Sequence, residues 1–475
     1  MLAIERLDAA VAPLGVAPGA VRVRTFHAMG REILADAGSA TDPLADRPAI
    51  IASVAPWADE AARLRLDTII SRLKVELRVT AAQVAADEDA GPMARAFVEY
   101  EHAVAATGGL DFDDLILRAI RALETDPALL ARWRARCTEL LVDEVQDVDR
   151  AQLDLALVLA APSNRIFLVG DDDQSIYGWR LADVRRILSL DERLPNLRRV
   201  DLEVNYRCPR PVVERAVRLV EHNERRFAKR IRSGPAADGR LILAPDASDE
   251  PVRLERAMHT WPDDGSSRAI LARTNLELLP AVAVALELGV PFRAPRMDLP
   301  IESELVDRLL DAAERRAVPG EPPLVSLGRV RDGAEDPDER RIATALLAWA
   351  VRDRRVTTDG GLAGLRWLVV AARARLAGLR RDDADLTLAT AHSTKGLEFD
   401  HVIVTSMEAG RFPSARSVAD AEDPTAAYEE ERRLAYVAWT RARRTLLLSF
   451  DPAVPSPFLL EAFSPDELGL AARPT

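Results

Sequence analysis

Lysine is nearly missing from this 475-residue chain: only Lys74, Lys229 and Lys395 occur, so 61 of the 64 basic residues are arginine. Cysteine is scarcer still, with Cys137 and Cys208 alone, which excludes a disulfide framework and a cysteine-rich metal site. No run approaches the roughly 18 apolar residues of a membrane helix. The opening stretch MLAIERLDAAVAPLG has neither the basic start nor the continuous apolar core of a secretory signal. A cytoplasmic location with no membrane partner is the expectation. The net charge of −12 argues against non-specific coating of nucleic acid, which relies on Lys and Arg neutralising phosphates, but it leaves room for a local basic groove. Aromatic residues are only 5% of the chain, so any close pair of them stands out.

The length implies two to four compact units. Residues 21–28 (VRVRTFHA) alternate like a strand and then turn, and residues 30–107 carry apolar residues three and four apart, as helices do. Strands are expected at Glu139-LLV, Arg165-IFLVG, Arg199-VDLEV, Arg268-AILART, Asp385-LTLATAH, His401-VIVTSM and Thr445-LLLSF, with helices between them. Residues 297–383 read as helical, broken by Pro and Gly. The pattern is α/β, with two parallel-sheet cores each interrupted by a helical insertion.

Five polar stretches carry chemistry. In LLVDEVQD a strand delivers Asp143 and Glu144 to the sheet edge where open α/β folds bind ligands. Asp143 suits Mg²⁺ and Glu144 a water-activating base, although acidic residues at a helix start are the bland alternative. In VGDDDQSIYGWRLAD, Gln174 can sense a terminal phosphate. Tyr177 and Trp179, two apart in an extended segment, would offer stacking surfaces to unpaired bases, while core burial is their ordinary use. In LEVNYRCPRP, Tyr206 and Arg207 precede a helix whose N-terminus attracts anionic phosphate. In LATAHSTKGLEFDHVIV, a loop holding His392, Thr394, Lys395 and Gly396 can contact phosphate or a ribose hydroxyl; a tight hairpin-like link is the alternative. In YEEERRLAYVAWTRARRTLLLS, Leu434, Val437, Ala438 and Arg441 form one helical stripe, so Arg441 would need an anionic partner, structural or nucleotide.

In this order, the five stretches resemble motifs II to VI of the UvrD/Rep family of superfamily 1 DNA helicases. Thr25-Phe26-His27 is similar to the family's early DNA-contacting segment. The resemblance implies two RecA-like cores: residues 1–29 and 109–198 with a helical insertion at 30–108, and residues 199–296 and 384–460 with a reduced insertion at 297–383. Residues 461–475 would be a tail. It implies ATP and Mg²⁺ as cofactors and single-stranded DNA, duplex junctions and DNA-repair proteins as partners. Asp143 would be the Mg²⁺ ligand, Glu144 the base, Gln174 the phosphate sensor, and Arg207 and Arg441 arginine fingers. Tyr206 would stack on adenine and Glu398 bind ribose, with Gly396 and Arg180 also on the nucleotide. Thr25, Phe26, His27, Tyr177, Trp179, His392 and Lys395 would touch DNA. The family activity is 3′-to-5′ movement along one strand.

The family also uses a phosphate loop G-x-x-x-x-G-K-[ST]. The three lysines here follow Leu73, Ala228 and Thr394, never a glycine, so no such loop occurs in these residues. In the family it lies upstream of the Thr25 segment. Expected explanations are a longer active helicase, or a module that binds single-stranded DNA or a protein without turning over ATP. In either case this polypeptide is expected to hydrolyse ATP poorly, with the first core sheet short of a strand. A Mg²⁺-dependent nuclease built on Asp143 and Glu144 is a weaker third reading, since no third and fourth carboxylate clusters with them.

Overall fold

Thr25 does not end a strand; it opens a helix. Its backbone is extended and its hydroxyl accepts from Ala28 N at 3.2 Å, so Phe26–Asp36 is helical from the start, and the alternating 21–24 segment meets no partner strand among the described residues. A side-chain oxygen placed to cap orphan amides outweighs a short alternation of Val and Arg. The computed structural model describes residues 20–470, apart from 88, 236, 237, 296, 298, 319, 320, 323, 353–355 and 357–359, together with residues 9, 13 and 15. The chain divides into two compact units, residues 1–199 with 225–227, and residues 200–224 with 228–475.

In the first unit, helix Phe26–Asp36 lies against helix Phe112–Thr125, and the expected boundary at 29/30 falls inside it. Contact is so close at Gly30 that a Cβ there would stand 2.4 Å from Leu115 O. Ile33, Leu34, Leu115, Ile116, Ala119 and Leu155 share one apolar cluster. Helices Arg47–Val54, Glu60–Ser71, Ala81–Ala85 and Pro92–Ala106 build a separate one around Leu66, Ile70, Phe97 and Tyr100. Strands β1 (Leu140–Val142) and β2 (Ile166–Leu168) form a parallel pair in register Leu140↔Ile166. Val142, Ile166 and Leu168 pack inward with helix Arg150–Ala160. The opposite face carries Leu141 and Phe167, register partners that are 66% and 64% exposed.

The acidic cap of helix Arg150–Ala160 has an unusual titration. Asp149 accepts Gln152 N at 2.8 Å, yet burial, with Asp113 and Glu76 nearby, pushes its carboxyl up to about 6. A carboxyl raised in the folded state stabilises only at low pH, and that contribution is lost as pH rises through about 6. Asp149→Asn keeps the capping oxygen and removes the charge. It is expected to stabilise the protein by about 1–2 kcal/mol at pH 8 and by little at pH 4. Thermal unfolding of both proteins at the two pH values checks this, and an equal effect at both would contradict it.

The second unit begins with β3 (Val204–Asn205) paired in parallel with β4 (Arg232–Ser233). The longer strand expected from Arg199 is absent. Val200 and Leu202 alternate as a strand would, but both stay exposed and meet no partner strand among the described residues. The main sheet is β5 (Arg240–Pro245), β6 (Arg268–Ala272), β7 (Phe292–Arg293), β8 (Leu386–Thr390), β9 (Phe399–Val404) and β10 (Ala442–Phe450), in order β5-β10-β9-β6-β8-β7 and parallel throughout. Ile270, Leu388, Ile403 and Leu447 face helices Glu250–Met258 and Leu279–Leu288, while Leu271, Ala389, Val404 and Leu448 are buried on the other face. Both faces of this parallel sheet are thus covered, as such sheets require. Residues 297–383 are helical as expected, with Glu304–Arg315, Val325–Asp332, Pro337–Arg352 and Gly361–Leu379, and a cluster of their own around Leu310, Leu327, Ala343 and Leu365. The α/β class with parallel sheets and helical insertions therefore holds in both units.

Candidate functional site

In the first unit, the two short strands release their polar ends side by side. Val169 N donates to Val142 O at 2.8 Å and Val145 N to Val169 O at 2.9 Å, which brings Asp143 and Glu144 level with Gly170 and Asp171. Glu144 has a left-handed backbone, φ 51°, a conformation that costs a non-glycine residue about 1 kcal/mol. The turn carries its carboxylate to Gln146, whose Nε2 donates to Glu144 Oε2. Gln146 Oε1 accepts from Asp171 N at 3.0 Å, and Gln174 Nε2 donates to Asp171 Oδ2 at 2.7 Å. Glu144, Gln146, Asp171 and Gln174 thus form one hydrogen-bonded chain across two strand ends. Glycine is required at 170 for this, because a Cβ would stand 2.4 Å from Gln146 Oε1.

Gln146 and Asp171 were not singled out from sequence, although both lie inside the conspicuous blocks; only the strand pairing reveals that they meet. Gln146 is 1% exposed, and removing its amide takes the partner from the Glu144 carboxylate and the Asp171 amide, both in partly buried bonds. Gln146→Leu is expected to destabilise the first unit by about 1–3 kcal/mol. Urea unfolding measures it, and a change within error would show the bridge to be unimportant.

Asp143 is exposed at the end of β1, with Oδ1 accepting from Glu144 N at 3.0 Å. An exposed carboxylate at a strand end is a hard oxygen donor, so its chemistry fits Mg²⁺. Asp171, Asp172 and Asp173 also bring carboxylate oxygens within 4.8 Å of one another. Those groups are already engaged, Asp173 by Arg226 at 2.8 and 3.0 Å and Asp172 by Phe227 N at 2.8 Å.

The aromatic pair is not on an extended segment. Gly178–Arg180 is a 3₁₀ turn ending in Leu181 with φ 65°, because Arg180 N and Ala182 N both return to Tyr177 O. The rings still meet, edge to face with centroids 6.1 Å apart. Arg180, expected on the nucleotide, lies over Trp179 at 4.6 Å and Tyr177 at 5.8 Å. Trp179 is 57% exposed, which core burial would not allow. Of the early segment, Thr25 is used as a helix cap, Phe26 packs against the core, and His27 meets Phe112 edge-on at 5.6 Å. Burial lowers the His27 pKa against the opposing pull of Asp113.

In the second unit, Asn205 Oδ1 accepts from Arg207 N at 3.0 Å and Cys208 N at 2.9 Å, fixing the turn that carries Tyr206 and Arg207. Arg207 Nε donates to Glu398 Oε2 at 2.8 Å, and Arg443 reaches the same carboxylate at 3.3 Å. The hydrogen bond from Arg207, with both charges, holds Glu398 below the usual carboxylate range. Arg441 is not on the helix: Pro424–Trp439 ends before it, since Thr440 and Arg441 leave the helical path toward β10. The residue is nonetheless buried, donating from Nε to Val437 O at 2.9 Å and from Nη1 to Leu397 O at 3.1 Å. Arg207, Glu398 and Arg441 are therefore brought together around the start of β9, with Arg443, which sequence reasoning passed over.

His392 and Lys395 lie at the opposite end of the sheet's strands, after β8. The link from β8 to β9 is no hairpin, because β6 runs between those two strands and all three are parallel. It is a 3₁₀ turn, Ala391–Thr394, closed by Leu397 N on Thr394 O at 2.9 Å, with Gly396 at φ 80°. Burial, with the charge of Arg273, pushes His392 down to about 4, so its ring is neutral at pH 7. Arg273 is itself held by Glu431, Nε to Oε1 at 2.8 Å and Nη2 to Oε1 at 2.6 Å.

Comparison with known proteins gives a consistent result. The profile of the UvrD/REP helicase N-terminal domain matches residues 5–195, and that of the UvrD-like helicase C-terminal domain matches residues 373–452. The chain is similar to DNA helicase II of Escherichia coli (strain K12), 29% identical over 452 residues, covering 75% of this chain and 62% of that protein. DNA helicase II of Salmonella typhimurium is 30% identical over 450 residues, with 75% and 62% covered. ATP-dependent DNA helicase PcrA of Staphylococcus epidermidis is 27% identical over 472 residues, with 80% and 64% covered. The chain therefore spans less than two thirds of the length of these relatives. Among the described residues, no helix is long and apolar enough to cross a membrane.

Proposed function

This chain belongs to the UvrD/Rep helicase family, and from that premise we propose that it serves an ATP-dependent 3′-to-5′ DNA helicase or translocase acting on single-stranded DNA. The observation that carries the reading is the bridge from Glu144 through Gln146 and Asp171 to Gln174. It joins a water-activating carboxylate to a phosphate-sensing amide, so that the state of one is felt at the other. In this reading Asp143 holds Mg²⁺, which supplies charge neutralisation on the phosphates of ATP. Glu144 orients and deprotonates the attacking water. Arg207 and Arg441 offset charge developing on the transferred phosphoryl group, with Glu398 on the ribose and Tyr206 on adenine. Trp179 and Tyr177 grip bases, and His392 and Lys395 contact the strand.

A second reading rests on the lysines, none of which follows a glycine. Without a phosphate-loop lysine, these residues act as a single-strand-binding or protein-interaction module that does not turn over nucleotide. Phosphate release by the 475-residue chain, with and without single-stranded DNA, separates the two. Slow DNA-stimulated release that Glu144→Gln abolishes supports the helicase reading. Salt-sensitive DNA binding with no release at all supports the second, and neither binding nor release would remove both.

A further inference from the structure

The Tyr206 ring is 81% exposed in the second unit, and the bare backbone of Gly234 lies beside it. Gly234 follows β4, and its N donates to Asn205 O at 2.8 Å, which continues the pairing of β3 with β4 past Ser233. A Cβ placed on Gly234 would stand 3.2 Å from Tyr206 Cδ1 and 3.3 Å from Asn205 O. Carbon atoms in contact ordinarily keep about 3.5–4 Å, so a side chain at 234 must move the ring or the strand carbonyl. The carbonyl is fixed by its hydrogen bond, which leaves the ring to give way.

Backbone conformation supplies no competing reason for glycine at this position. Gly239, a few residues on, has φ 147° and needs glycine on that ground, whereas Gly234 is not among the residues with positive φ. On the other side, the two amides bound to Asn205 Oδ1 fix the main chain on either side of the tyrosine side chain. A ring fixed at its base by Asn205 and seated against a bare backbone is preorganised, with less rotamer freedom to lose when a planar group stacks on it.

We propose that Gly234 is a positioning residue for Tyr206, and through that ring a determinant of recognition of the adenine base. The proposal rests on the reading of Tyr206 as the base-stacking residue of a nucleotide site. Stacking affects the base and not the phosphates, so the informative quantity is the advantage of Mg²⁺-ATP over inorganic tripolyphosphate in binding to the full chain, measured by titration calorimetry.

Tyr206→Ala is expected to cut that advantage about tenfold, a size typical of one base on one ring. Gly234→Val is expected to cut it about three- to tenfold and Gly234→Ala less, while tripolyphosphate affinity and the unfolding temperature hold. If valine lowers the unfolding temperature, alanine, which fits the backbone without strain, supplies the comparison. Loss of the advantage in Tyr206→Ala but full retention in both Gly234 variants would overturn the role of Gly234 and leave the nucleotide reading standing. A wild-type chain that prefers ATP no more than tripolyphosphate, or that is indifferent to Tyr206→Ala, would overturn the nucleotide reading and this proposal together.

Discussion

Lys74→Met is expected to destabilise the first unit by about 3–5 kcal/mol, the usual consequence of stranding buried carboxylates. Lys74 is 4% exposed, and its ammonium lies 2.9 Å from Asp111, 3.0 Å from Asp114 and 2.9 Å from Glu101. Asp111 is 1% exposed and also takes the Tyr100 hydroxyl at 2.8 Å and the Asp114 amide at 2.8 Å, where it caps helix Phe112–Thr125. The lysine thus joins Glu101 and Tyr100 of the helical insertion to the start of helix Phe112–Thr125.

The pKa of Lys74 is raised, by Asp111 first among its charged neighbours although burial alone would lower it, and that of Asp111 is lowered by Lys74 against its own burial. A raised lysine stabilises below its unfolded pKa and loses this as pH rises through its folded value. A depressed aspartate stabilises above its unfolded pKa and loses this as pH falls through its folded value. Both contributions are therefore complete across the neutral range in the wild type. In Lys74→Met the stranded carboxylates, raised by their burial, are relieved by protonation, so the loss should be largest at neutral and higher pH and shrink as pH falls toward about 5. Calorimetry should show the transition of the first unit falling by about 10 °C. A drop of only one or two degrees would mean that the methionine packs as well as the ion cluster, as has proved true of some buried ion pairs.

Trp179→Ala is expected to weaken single-stranded DNA binding about 5- to 100-fold, with little change in unfolding temperature. The exposure of the indole, its edge-to-face contact with Tyr177 and the guanidinium of Arg180 at 4.6 Å make a prepared stacking surface rather than a core element. Arg180→Ala should cost less, because it removes only the group that steadies the rings. Fluorescence anisotropy with a labelled oligonucleotide at several salt concentrations checks both variants. The salt slope should survive Trp179→Ala, since stacking releases no counterions. A parallel loss of slope would point to an unfolded groove, and unchanged affinity would end the base-gripping role.

The legibility of the site in the sequence varied with the kind of interaction. Asp143, Glu144 and Gln174 stand out because polar residues directly after an apolar strand are chemically costly unless used, Arg207 because it precedes a helix N-terminus, and Glu398 only through the family resemblance. Strands β6, β8, β9 and β10 are legible because apolar runs mark strands buried on both faces, whereas β5 and β7 were not expected. Local capping chemistry misled: Thr25 turned an alternating stretch into a helix start, and the return of two amides to Tyr177 O coiled a segment that reads as extended. Gln146, Asp171, Asn205, Gly234 and Arg443 escaped notice because each matters through a partner distant in sequence or one residue off a motif's centre.

What the order of residues determined by itself was the class of fold and the chemistry on offer, since hydrophobic period and strand-end polarity are properties of short windows. What only the tertiary structure decided was which of those groups meet. β6 inserts between β8 and β9, so a loop that might have been a hairpin instead puts His392 and Glu398 at opposite ends of the same sheet. Gln146 reaches Asp171 only because β1 and β2 pair in one register, and Lys74 is a structural ion rather than a surface charge only because two helices close over it. Pairing and burial are settled by apolar packing between distant segments, and no single stretch of chain contains both sides of that contact.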